Sequence, residues 1–162
     1  MNREIIKLFV DENNMIEGVD RDPYEDEITA VYNFMDLPVI SILDLEIFVD
    51  VIQPGAVLRD KPGVDVRVGN YYPPKGGPEI RTSLADLLLH SDIPPWHLHM
   101  KYESLHPFTD GNGRSGRMLW AWRMGEEFFE PCQDKSLGFL HSFYYQTLRM
   151  YSKFEDFQRE NR

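Results

Sequence analysis

Residues 106–117 read His-Pro-Phe-Thr-Asp-Gly-Asn-Gly-Arg-Ser-Gly-Arg. Gly111 and Gly113 let a backbone take positive φ and approach a ligand closely. A helix beginning just beyond them would aim its unpaired N–H groups and the positive end of its dipole at the turn. Arg114 and Arg117, three residues apart, are neighbours on such a helix and together read as a polyphosphate site. Asp110 at the rim offers a hard oxygen ligand of the kind that holds Mg²⁺ beside nucleotide phosphates. Asn112 carries an amide able to donate to a phosphoryl oxygen. His106 lies across the turn, and an imidazole there can accept a proton near neutral pH. No Gly-Lys-Ser/Thr follows, so this is not a Walker P-loop.

Positioning such a turn requires helices on both sides. Proline pairs with the helix start at Pro94-Pro95, a helix runs to Leu105, and a second helix runs from Arg114 to Met124 with Gly125 closing it. Upstream, Ile5, Ile6, Leu8, Phe9, Met15 and Ile16 suggest a helix over 3–17 that ends at Gly18. Asp22-Pro23 starts another, with Ile28, Val31, Tyr32 and Met35 on one face. Ser41 with Asp44 forms a capping box ahead of Leu45, Phe48, Val49 and Ile52. Further helices are predicted from Glu79 to Leu89 and from Leu137 to about Lys153. Between them, Val57, Val64, Val66 and Val68 alternate with polar residues around Lys61-Pro62-Gly63, which predicts a β-hairpin over 56–72. The fold class expected is therefore mostly α, a helical bundle with one short β-hairpin.

At 162 residues with 42% apolar side chains, the chain has the size and core of one domain. The net charge of −10 repels polyanions, which argues against non-specific nucleic-acid binding. That charge resides in residues 1–52, with 13 acids and 3 bases; residues 53–162 hold 14 of each, so an anion site there is not opposed by the total. No apolar run is long enough to span a membrane, no signal peptide is read at the start, and the single cysteine, Cys132, cannot form an intrachain disulfide. A cytoplasmic location and no membrane partner are expected. His97 and His99 face different sides of a helix, which disfavours a shared metal, while Trp96, Trp120, Trp122, Phe128 and Phe129 read as core. Tyr144, Tyr145 and Tyr151 fall on the last predicted helix and read as partly core; His141 carries no signal.

The 106–117 segment resembles the signature of the Fic (filamentation induced by cAMP) family, His-x-Phe-x-Asp/Glu-Gly-Asn-Gly-Arg-x-x-Arg, at all eight specified positions. His99, Tyr102 and the Arg67-Val68-Gly69 and Pro73-Pro74 segments extend the resemblance. It implies a single Fic-type domain over 1–162, with a catalytic helix–loop–helix at 94–125 and a hairpin flap at 56–72 whose Arg67, Val68 and Gly69 dock a target polypeptide. The implied activity is adenylylation: AMP passes from ATP to a Ser, Thr or Tyr hydroxyl of a target protein. His106 would be the base, Asp110 the Mg²⁺ ligand, and Gly111, Asn112 and Gly113 the phosphate cradle. Arg114 would hold the β-phosphate, Arg117 the γ-phosphate, and Phe108 would anchor the loop in the core. Leu58, Arg67, Val68 and Tyr71 are candidate contacts for the base. The resemblance leaves open transfer of another nucleotide, removal of AMP at the same site, and a non-catalytic nucleotide- or partner-binding module. Doc-type relatives, which phosphorylate, usually carry Lys where this chain has Gly113.

Residues 13–18, Asn-Asn-Met-Ile-Glu-Gly, resemble the inhibitory motif of that family, Ser/Thr-x-x-x-Glu-Gly/Asn, with Asn13 in place of Ser or Thr. The resemblance implies an inhibitory segment over 1–22 in which Glu17 pairs with Arg117 and spoils γ-phosphate placement.

Overall fold

The computed structural model describes residues 2–129 of the chain. The 137–153 helix, Cys132, His141, Tyr144, Tyr145 and Tyr151 lie outside the described residues.

Six helices occur, in the order α1 (Arg3–Ile16), α2 (Glu25–Met35), α3 (Ile42–Ile52), α4 (Pro78–Leu89), α5 (Pro95–Leu105) and α6 (Asn112–Met124), followed by a 3₁₀ turn at Gly125–Phe129. Local chemistry sets their ends. The Asn2 side chain accepts the Glu4 N–H at the start of α1. The Ser41 and Asp44 side chains accept each other's backbone N–H groups at the start of α3. Asp22-Pro23 stands before α2 rather than inside it, and Glu27 closes that start by accepting the Tyr24 N–H at 2.7 Å. Pro78 and Pro95 occupy first-turn positions of α4 and α5, where a missing N–H costs nothing.

α5 and α6 form an antiparallel pair that carries the 106–111 turn at one end, and α1, α2 and α3 pack around α6. Leu98 and Tyr102 of α5 and Met118, Leu119 and Ala121 of α6 are fully buried. Phe9 of α1 meets Phe128 and Phe129 edge-on at 5.6 and 5.4 Å, and Trp120 meets Phe128 at 4.9 Å. Packing outweighs propensity in α6. Its interior Gly116 costs roughly 1 kcal/mol, whereas each large side chain buried beyond it returns about 1.5–3 kcal/mol.

The expected β-hairpin at 56–72 is not formed. Only two isolated bridges are seen among the described residues, Leu58 to Phe108 and Val68 to Tyr71. The reason is competition for backbone groups. Val57 accepts from the Thr109 N–H, Arg59 donates to the Pro107 carbonyl at 2.8 Å, and the Arg59 carbonyl accepts from Gly77 at 2.9 Å. Residues 57–59 are thus spent on the 107–109 turn and on Gly77, leaving nothing for a partner strand at 64–68. The alternating valines mark an irregular strap instead. Among the described residues, no helix is long and apolar enough to cross a membrane.

Gly116 is the closest approach between α5 and α6. A Cβ there would sit 3.0 Å from His99 Nδ1 and Tyr102 Cδ1 and closer still to Glu103 Oε1. Gly116→Ala is expected to cost about 1–3 kcal/mol, lowering the thermal midpoint by roughly 3–10 °C. An unchanged midpoint would contradict this packing.

Candidate functional site

The turn between α5 and α6 is built by a few specific bonds. His106 caps α5 in the left-handed region, φ 49° and ψ 61°, and its N–H donates to the Tyr102 carbonyl at 2.8 Å. For a non-glycine residue that conformation costs about 1–2 kcal/mol, so something must hold it. Phe108 is buried and anchors the loop as expected. The Asp110 carboxylate accepts the Gly111 N–H at 2.7 Å, and Gly111 takes φ 75° to lead into α6. The first N–H groups of α6 have no intrahelical acceptor and face this turn.

A cleft of about 460 Å³ lies over the turn. His106, Asp110, Gly111, Asn112, Gly113 and Arg114 of the turn line it, together with Arg67, Val68 and Gly69 of the strap and with Glu17 and Gln53. The strap residues expected to form the flap therefore share a cleft with His106 and the glycine turn without being a hairpin. Leu58 and Tyr71 do not line it. Leu58 is buried against Phe108, and the Tyr71 hydroxyl donates to the Ser104 carbonyl at 2.8 Å.

Electrostatics suit the imidazole to accept a proton. Burial pushes His106 below its ordinary value, Arg59 adds to the shift, and Asp110 and Glu17 oppose it. The backbone of Glu103 also opposes the shift. Beneath α6, burial drives His99 down to about 3 and Glu103 up to about 7, which makes His99 a neutral core residue stacked on Trp120.

Both arginines of the turn are buried and partnered. Arg117 Nη2 pairs with Glu17 Oε1 at 2.5 Å and also reaches the Asn13 carbonyl, while its Nε donates to the Asn13 side-chain oxygen. Asn13 in turn donates to the Arg114 carbonyl at 3.2 Å, so one amide bonds to both arginines. Arg114 donates to the Ile52 carbonyl at 2.6 Å, to the Gln53 side chain and to Asn14. Gly113 leaves no spare room: a Cβ would come 3.2 Å from Arg117 Nη1 and 3.1 Å from Glu17 Cδ.

Residues 47–123 match the model of the Fic/DOC family. No solved structure matches the chain. The matched span runs from the second half of α3 to the last turn of α6 and contains the whole turn; α1 and Glu17 lie outside it.

Asn112 departs from its expected role in the Fic turn. Its side chain is buried, with Oδ1 accepting the Phe108 N–H at 2.9 Å and Nδ2 donating to the Phe108 carbonyl at 2.8 Å. The amide therefore ties the loop together, and its side-chain oxygen and nitrogen are both engaged by Phe108. Arg59, Gln53 and Asn14 escaped sequence reading. Each contributes through tertiary contacts to residues dozens of positions away, and no local spacing announces that.

A fit to Mg²⁺ can be judged from the donors. Asp110 is an exposed carboxylate at the cleft, and no cluster of three His, Cys, Asp or Glu occurs among the described residues. A divalent ion here would take its remaining oxygens from a triphosphate and water, which is the usual mode for Mg²⁺.

Replacing Asn112 by Ala strands the Phe108 N–H and carbonyl in the core. The expected loss is about 1–3 kcal/mol per stranded group, read as a lower urea midpoint. Undiminished stability would mean that the amide does not hold the loop.

Proposed function

We propose that this chain is a protein adenylyltransferase held in a restrained state by Glu17. The observation that carries the reading is the convergence of His106, Asp110 and the N–H-rich start of α6 on one cleft, faced by Arg67, Val68 and Gly69. ATP would lie with its phosphates over Gly111, Asn112 and Gly113, where backbone N–H groups face the accumulating charge. One such donor contributes about 3–4 kcal/mol to the barrier. Arg114 supplies positive charge at the wall beside the β-phosphate, and Arg117 is the partner for the γ-phosphate. The strap at 67–69 docks the target polypeptide beside His106.

His106 accepts the proton of the Ser, Thr or Tyr hydroxyl as its oxygen bonds to the α-phosphorus. The bond from that phosphorus to the bridging oxygen breaks, and pyrophosphate leaves. Its lowered proton affinity keeps the imidazole neutral, and thus able to act, at neutral pH. Asp110 would hold Mg²⁺, which when bound offsets phosphate charge.

Glu17 supports the restraint. It occupies the guanidinium that the γ-phosphate needs, and Arg117 itself is 1% exposed against 38% for Glu17. A charge-assisted bond of about 1.5–3 kcal/mol corresponds to roughly a ten- to hundredfold suppression. The experiment is incubation of wild type and Glu17→Gly with Mg²⁺ and ATP labelled on the α- or the γ-phosphate. The expected result is protein labelling from the α-label alone, about ten- to hundredfold stronger in Glu17→Gly. Label from γ alone would mean phosphorylation, and equal labelling of the two proteins would remove the restraint.

A further inference from the structure

Arg59 is fully buried on the strap, and its guanidinium is spread over backbone carbonyls. Nε donates to the His106 carbonyl at 2.7 Å, and Nη2 to that of Leu105 at 3.0 Å. Nη1 donates to the Pro74 carbonyl at 2.9 Å and, more weakly, to that of Val64 at 3.4 Å. Its own N–H and carbonyl join the strap to Pro107 and Gly77. One side chain therefore grips the last residue of α5, the left-handed histidine and both limbs of the strap that carries residues 67–69.

These contacts have a directional logic. The end of a helix exposes carbonyls and a negative dipole, and a cation there satisfies both. The His106 carbonyl is turned to Arg59 by the same φ and ψ that send the chain into the glycine turn. A lysine keeps the charge but cannot reach several carbonyls in one plane, because a guanidinium presents a fixed fork and an ammonium a point.

We propose that Arg59 is the positioning residue of this site: it sets the backbone of His106 and locks the docking strap to it, so that base and acceptor keep one register. This rests on the adenylyltransferase reading for its kinetic consequence but not for its structural one, and the test separates them. Arg59 lines no part of the cleft and is not expected to bind ATP.

The test places Arg59→Lys and Arg59→Gln in the Glu17→Gly chain. Three readouts are taken: the His106 ring resonances by NMR, the ATP dissociation constant, and the transfer rate. Both variants are expected to move the His106 resonances while leaving ATP affinity within about twofold, and to lower kcat at least tenfold, with lysine failing to rescue. Moved resonances without transfer in any chain, including the parent, would sink the adenylyltransferase reading and leave the positioning role standing. Unmoved resonances with full kcat would overturn the proposal, as would a loss confined to ATP affinity. If neither variant folds, the wild-type chain decides: the Arg59 Nε–H must exchange slowly with water and show a nuclear Overhauser contact to residue 106. Rapid exchange with no such contact overturns it.

Discussion

Two guanidinium groups are buried on one helix, and the architecture around the turn follows from the need to satisfy them. Isolated, a buried cation is prohibitively costly; it persists only where oxygens surround it. Arg114 takes its oxygens from the end of α3 and from Asn14, and Arg117 takes them from Asn13 and Glu17. This explains why α1 buries the polar Asn13 and Asn14 on the face that meets α6. Burial lowers the proton affinity of Arg114, yet a guanidinium remains charged throughout the physiological range. The positive charge is fixed in place before any ligand arrives.

A consequence is that Arg117, buried behind the cleft, already has its charge engaged by a carboxylate. On the proposed reading, a triphosphate would have to compete with that carboxylate for it. Glu17 is well placed for such a contest, because it caps the C-terminal end of α1, partly open to water, while its partner is not. Gly113 belongs to the same balance: any side chain there would crowd Glu17 and Arg117 together. The absence of a side chain at Gly113 leaves space for the carboxylate.

Much of this was legible from residues alone, and the reasons are physical. The helices were legible where apolar spacing coincided with a cap, as at Ser41–Asp44, or with a proline start, as at Pro95. The turn was legible because its residue types are dictated by what they must touch, and the Glu17–Arg117 pair because a motif carried it across a hundred positions. The strap misled because alternation of valines specifies exposure, not a partner; its hydrogen bonds went to Phe108 and its neighbours instead. Asn112 misled because an amide facing a phosphate and an amide clamping a loop look identical in sequence. Arg59 gave no signal, since its acceptors are backbone groups that any residue supplies.

The central claim is that Glu17 holds Arg117 away from the third phosphate. Calorimetric titration of wild type and Glu17→Gly with ATP and with ADP, each with Mg²⁺, tests it without any transfer reaction. In the wild type the two nucleotides should bind with affinities within a few-fold of each other, because the γ-phosphate finds its cation taken. In Glu17→Gly, ATP should bind at least about tenfold more tightly than ADP, a difference of roughly 1.4 kcal/mol. An ATP-to-ADP ratio that is the same in both proteins would contradict the account.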